Sequence, residues 1–151
     1  MPSVFLPVPH FEQSRDGMCL PACARMVMAY WGREIPEKEL VHLFETKAFG
    51  TPISNVKRLE KWGYRVNFGT LTENELKIQL LANRPVIVRI WTPMLDYWDI
   101  DTSHVIVVVG FDDIQVLVND PAFAEAPKTV AWNGFLAAWV EFDQTAAIIF
   151  Q

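Results

Sequence analysis

The stretch QSRDGMCLPACARMVMAYWG, residues 13–32, decides how the rest of the chain is read. Ser14 to Gly17 is polar and turn-prone; Cys19 follows, then an apolar run. Ala22, Cys23, Met26, Val27, Tyr30 and Trp31 recur at three- and four-residue steps, which predicts a helix over residues 19–31 with a buried stripe. Pro21 suits the first helical turn, where its missing N–H is not needed, and Gly32 stands where the helix stops. Cys19 therefore falls at the helix N-terminus. The partial positive charge there favours a thiolate, the form in which cysteine attacks a carbonyl. On this stretch alone, a small buried core cysteine is the better reading.

The chain has 151 residues, enough to bury a core, and the expectation is a single domain over residues 1–151. With 51% hydrophobic and 21% charged residues it is a globular chain, not a disordered one. A net charge of −5 without any cluster of Lys or Arg argues against nucleic acid or an anionic membrane surface as partner. No apolar run reaches about 18 residues, so no membrane span is expected. The N-terminus, MPSVFLPVPHF, lacks a basic start and is broken by prolines, unlike a signal peptide. Two cysteines four residues apart on one helix are poorly placed to bridge each other. A reduced, cytoplasmic protein is the simplest expectation.

Working outward, Pro2, Pro7 and Pro9 make residues 1–12 extended. Residues 36–46 read as an amphipathic helix with Leu40, Leu43 and Phe44 inward, and 52–62 as another with Ile53, Val56, Leu59 and Trp62 apolar. Gly63 ends it, and Tyr64–Phe68 alternates like a strand. Thr72 with Glu75 is a capping-box signature for a helix over 73–82. PVIVRIWT is a strand, and the loop 93–103, which mixes aromatics with acids, is a surface connection or a binding rim. HVIVVVGF reads as a strand buried on both faces, Asp112–Asp113 as a turn, and IQVLVN as the returning strand. Residues 120–131 look irregular, 133–140 form a short helix, and AAIIF closes the chain as a strand. A helical first half followed by an antiparallel sheet gives an α+β fold.

A cysteine nucleophile needs a base within hydrogen-bond reach and a third group to orient that base. His10 lies in the proline-broken arm and His42 beside Leu40 and Leu43 on a helix, which leaves His104 at the mouth of an otherwise apolar strand. Its partner depends on hairpin register. A two-residue turn pairs Phe111 with Ile114, sets His104 opposite Pro121 and favours Asn119 as a diagonal neighbour. A three-residue turn pairs Gly110 with Ile114 and sets His104 opposite Asp120. Either side chain can accept the imidazole N–H and fix its tautomer. Cys19, Cys23 and one histidine are unlike zinc spacing, so neither metal nor cofactor is expected, and Cys23 reads as core.

Cys19 on a helix and His104 on a distant strand fit the helix-against-sheet arrangement of papain-like cysteine enzymes. The opening stretch, with Gln13 six residues before Cys19, resembles that of the bacteriocin-processing peptidases that cut after double-glycine leaders. HVIVVVGFDD and VLVNDPA resemble that family's histidine strand and aspartate–proline turn, in the same order, so the likeness spans most of the chain. The resemblance implies a papain-like fold with the nucleophile helix packed on an antiparallel sheet. It also implies Cys19 as nucleophile, His104 as general base and then acid, Asp120 as orienter, and Gln13 as oxyanion donor beside the Cys19 backbone N–H.

One departure stands out: the processing peptidases usually carry Gly directly after the cysteine, and this chain has Leu20, whose side chain would narrow the cleft or change what approaches the thiolate, which argues against double-glycine specificity. The chain carries no transporter segment, so a leader handed to a fused exporter is not expected. The resulting expectation is a cysteine peptidase that cuts a peptide or isopeptide bond of a peptide or protein substrate through a thioester. An amidase, glutaminase or transglutaminase on the same triad, or a peptide-binding module without turnover, are the alternatives.

Overall fold

The helix that the opening stretch predicts is α1, Cys19–Tyr30, in a computed structural model that describes residues 3–151. It is more enclosed than a single stripe requires. Leu20, Pro21, Ala22, Cys23, Ala24, Met26, Val27 and Met28 are all buried, the pattern of a helix packed on most sides. Each fully buried Leu, Met or Val is worth about 1.5–3 kcal/mol of transfer free energy. At its end the Gly32 N–H bonds the Ala29 carbonyl at 2.9 Å and the Arg33 N–H bonds Met28 at 2.9 Å. Gly32 takes φ +86°, the left-handed conformation that this paired cap needs.

The helical layer continues with α2, Glu37–Phe44, which buries Leu40 and Phe44. Residues Ile53–Trp62 form a 3₁₀ helix, where an ordinary helix was expected. Its apolar residues 53, 56, 59 and 62 are spaced by three, and three residues per turn stacks them on one side. Ile53, Val56 and Leu59 are buried, while Trp62 stays 42% exposed. The capping box is present: the Glu75 N–H bonds Thr72 Oγ1 at 3.1 Å and the Thr72 N–H bonds Glu75 Oε1 at 2.9 Å. It starts α3, Glu73–Leu81.

The strands are β1 Val4–Phe5, β2 Val66–Thr70, β3 Val86–Trp91, β4 Ser103–Phe111, β5 Gln115–Asn119, β6 Lys128–Ala131 and β7 Thr145–Ile149. Among the described residues they make one 7-stranded sheet, in the order β2-β7-β3-β4-β5-β6 with β1 paired to β4, and every pairing is antiparallel. The fold is thus α+β, with helices of the first half packed on an antiparallel sheet. The helix α4, Trp132–Val140, precedes β7. β6 corrects the expectation that residues 120–131 are irregular throughout: Val130 is buried and pairs with Val116. The arm expected to be extended over residues 1–12 is so only in part: β1 is its strand, the Val8 N–H turns back to the Leu6 carbonyl at 2.8 Å, and Met1 and Pro2 lie outside the described residues. Among the described residues no helix is long and apolar enough to cross a membrane.

The hairpin β4–β5 follows neither expected register. Phe111 pairs with Val116, across a turn in which Asp112 Oδ1 accepts from the N–H groups of Ile114 and Gln115 at 2.8 and 2.9 Å. Gly110 pairs with Leu117, but Val108 pairs with Val118, so Val109 is an extra residue in β4: a β-bulge. Beyond it Val107 lies opposite Asn119, which extrapolates His104 to the level of Ala122. Asp120 is then the same-face diagonal neighbour of His104. Carried on without the bulge, the pairing of Gly110 with Leu117 would turn Asn119 to that face instead.

Candidate active site

The nucleophile candidate stands in the first turn of α1. Met18 precedes it, buried, with its carbonyl accepting from Ala22 N–H at 3.1 Å. No side chain among the described residues caps this helix, so its first N–H groups stay available at the positive end of the macrodipole. The turn before it is fixed by sterics. Gly17 takes φ +87°, and a Cβ there would lie 2.5 Å from the carbonyl oxygen of Ala48. Only glycine fits. Cys19 is partly exposed, while Cys23, one turn on, is fully buried and donates its S–H to the Val105 carbonyl of β4 at 3.4 Å. Burial, with Cys19 and Asp120 nearby, pushes the Cys23 thiol well above its ordinary range. Cys23 remains a packed thiol.

Leu20 is fully buried in the hydrophobic core. The expected narrowing of the cleft by its side chain is therefore corrected: successive helical residues point about 100° apart, and Leu20 points inward.

His104 and Asp120 come together from β4 and the end of β5. His104 is 5% exposed, Asp120 is fully buried, and His104 Nε2 lies 2.7 Å from Asp120 Oδ1. A carboxylate only accepts, so Nε2–H donates and Nδ1 is the ring nitrogen left for the Cys19 thiol. Burial alone would lower the His104 pKa. Hydrogen bonds to Asp120 and Cys19, with the charge on both, outweigh it and raise the imidazole to about 9. For Asp120 burial again opposes the charge, but the bond from His104 and the N–H of Ala122 at 2.9 Å hold the carboxyl below its ordinary value. Asn119, also buried, is aimed elsewhere, donating its amide to the Val8 carbonyl at 3.1 Å.

Gln13 reaches the same region through its backbone, its N–H donating to the Pro121 carbonyl at 2.7 Å. The side-chain Oε1 is buried with no partner among the described residues, so this amide has bonding capacity unused. His10 sits in the same arm and donates Nε2–H to the Phe123 carbonyl at 2.7 Å. The arm thereby straps the loop before Cys19 to the Asp120–Phe123 turn. His42 lies on α2 and takes no part.

Two residues that sequence reasoning missed complete the site. Tyr97 OH and Trp98 Nε1 each donate to Asp120 Oδ2 at 2.8 Å. Trp98 also meets the His104 ring edge-on, with centroids 4.8 Å apart, and both aromatics pack edge-on against Phe123 at 5.2 Å. The loop between β3 and β4 is therefore a wall of the His104–Asp120 pair. Its signal in the sequence was adjacent aromatics that each carry a polar hydrogen, in a loop that also holds Asp96, Asp99 and Asp101.

Comparison with known proteins gives one family and one fold. A family model described as Peptidase_C39 like matches residues 5–147. No curated protein matches the sequence. Among solved structures, one described as a C39-like peptidase from Bacillus anthracis superposes with a TM-score of 0.84 at 16% identity, over 100% of this chain and 98% of that one. A double glycine motif protease from an AMS/PCAT transporter, in complex with its leader peptide, gives 0.75 at 20% identity, over 97% of this chain and 93% of that one. The peptidase domain of Streptococcus ComA gives 0.72 at 20% identity, covering 93% and 96%. At these identities the structural likeness carries the fold.

Proposed function

The chain belongs to the Peptidase_C39 like family, and from that premise we propose that it is a cysteine peptidase that hydrolyses peptide or isopeptide bonds. The observation that carries this reading is the buried His104–Asp120 pair at 2.7 Å, which leaves the other ring nitrogen of His104 free for Cys19. Cys19 Sγ attacks the substrate carbonyl carbon while its proton resides on His104 Nδ1. The tetrahedral oxyanion is received by the Cys19 backbone N–H and the Gln13 side-chain amide, which donate without changing charge. Collapse breaks the C–N bond, and His104 gives its proton to the departing amine. Water, deprotonated by the same nitrogen, then opens the thioester and returns the thiol. Asp120 accepts from Nε2–H throughout, holding the ring in one tautomer and stabilising the imidazolium.

A peptide or protein substrate is supported by the relative bound to a leader peptide, and the inward packing of Leu20 keeps its side chain out of the cleft. Residues 1–151 act as one papain-like peptidase domain. A reducing, cytoplasmic setting suits a free Cys19 and a free Cys23.

Profiling against a peptide library tests the reading. Cys19→Ala and His104→Ala each abolish cleavage while circular dichroism stays that of the parent. Full activity in either variant sinks the assignment. Running the same reactions with added primary amine separates hydrolysis from acyl transfer, since a transferase yields the amine adduct.

A further inference from the structure

Asp120 spends its two oxygens on different tasks. Oδ1 takes His104 Nε2–H and the Ala122 N–H, while Oδ2 takes the Tyr97 hydroxyl and the Trp98 indole N–H. We infer that Tyr97 and Trp98 are positioning residues, which grip the second oxygen of Asp120 and so fix the aim and tautomer of His104. This rests on the reading of Cys19 and His104 as nucleophile and base.

A carboxylate bonded through one oxygen can swing about its Cβ–Cγ bond, because that torsion is broad. Donors on both oxygens remove the freedom. Neutral donors do so without cancelling the charge that supports an imidazolium, whereas a Lys or Arg at Oδ2 would oppose it. Tyr97 stays a donor because burial, and then the Asp120 charge, push its hydroxyl far above its ordinary range. The titratable groups facing the carboxylate are His104, Tyr97 and Cys23, with Cys19 beside His104 and Cys23. Asp96 acts on Tyr97 from the same loop, and Lys128 of β6 stands over the Tyr97 and Phe123 rings at 5.4 and 4.9 Å. Packing alone would need the rings and neither polar hydrogen. Two donors converging on one buried oxygen mark a hydrogen-bonding role.

The test uses Tyr97→Phe, Trp98→Phe and the double variant, each of which keeps a ring and deletes a donor. Peptide turnover falls roughly tenfold in kcat per donor, the size of one net hydrogen bond, with KM unchanged. Titration of the Asp120 carboxyl, followed by 13C NMR without substrate, moves to higher pH in each variant, because a donor favouring the charged form is gone. An unmoved titration overturns the role even if melting temperature drops, since packing alone changes stability and leaves that titration in place. Should the double variant unfold, Tyr97→Phe, which lacks a single oxygen atom, carries the test. If the wild type cleaves no peptide, the peptidase reading fails while the NMR titration still reads the grip on Asp120.

Discussion

The two sides of the site are held by different physics. On the helix side, Cys19 is placed by apolar packing: Leu20, Met26, Val27 and Met28 are fully buried, and the Cys23 S–H ties this helix to the Val105 carbonyl of β4. On the sheet side, His104 and Asp120 are placed by hydrogen bonds, four of them converging on one carboxylate. Packing tolerates a shift of a few tenths of an ångström as a whole body. A network of directed bonds loses aim at the first missing donor. The difference teaches where stability and chemistry separate: the helix side sets whether the protein folds, the sheet side how the folded protein reacts.

Leu20→Ala puts the largest strain on that contrast. The cavity costs about 2–5 kcal/mol in denaturant unfolding, yet kcat of the folded fraction stays near the parent value. A kcat collapse in a still-folded variant would merge the two sides into one. Next comes Asp120→Ala, expected to lower kcat roughly a hundredfold or more, because His104 loses the carboxylate that accepts its Nε2–H. Asn119→Ala lowers stability instead, by about 1–3 kcal/mol, since the buried Val8 carbonyl loses its donor. If Asn119→Ala turns out the slower enzyme of the two, the sheet side has been misread.

The smallest effect is a pH slope. His104 is raised in the folded state to about 9, above its unfolded value of about 6.5. Its contribution is therefore fully present below pH 6.5 and is lost as pH rises through about 9, a fall of about 1–3 kcal/mol. Asp120 is held low, so its contribution is present above the ordinary aspartate range and is lost as pH falls through its lowered pKa. Melting curves across this range check both limbs, and His104→Gln flattens the alkaline one. An alkaline slope that survives in that variant belongs to another group.

What the sequence made legible follows the same division. Local signals read true: the Thr72–Glu75 box, the Gly32 stop and the apolar run of α1 each depend on neighbours within a few residues. The 3₁₀ helix was present as a spacing of three from Ile53 to Trp62 and was read with the wrong period. Non-local facts were not legible. β7 inserts between β2 and β3, β6 pairs where two prolines and a run of small residues hid it, and the hairpin register depended on a bulge without a sequence mark. His104 was found because a polar residue interrupts an apolar strand. Tyr97 and Trp98 were missed because a hydrogen bond across more than twenty residues leaves no periodicity behind.

The bulge at Val109 also makes the site a matter of counting. β5 ends in two adjacent polar residues, a carboxamide and a carboxylate, and strand parity lets only one of them share a face with His104. Pairing Val109 into the ladder, with every residue kept, would present Asn119 to the imidazole and turn Asp120 away. One unpaired residue in a strand thus selects a charged partner for His104 over a neutral one.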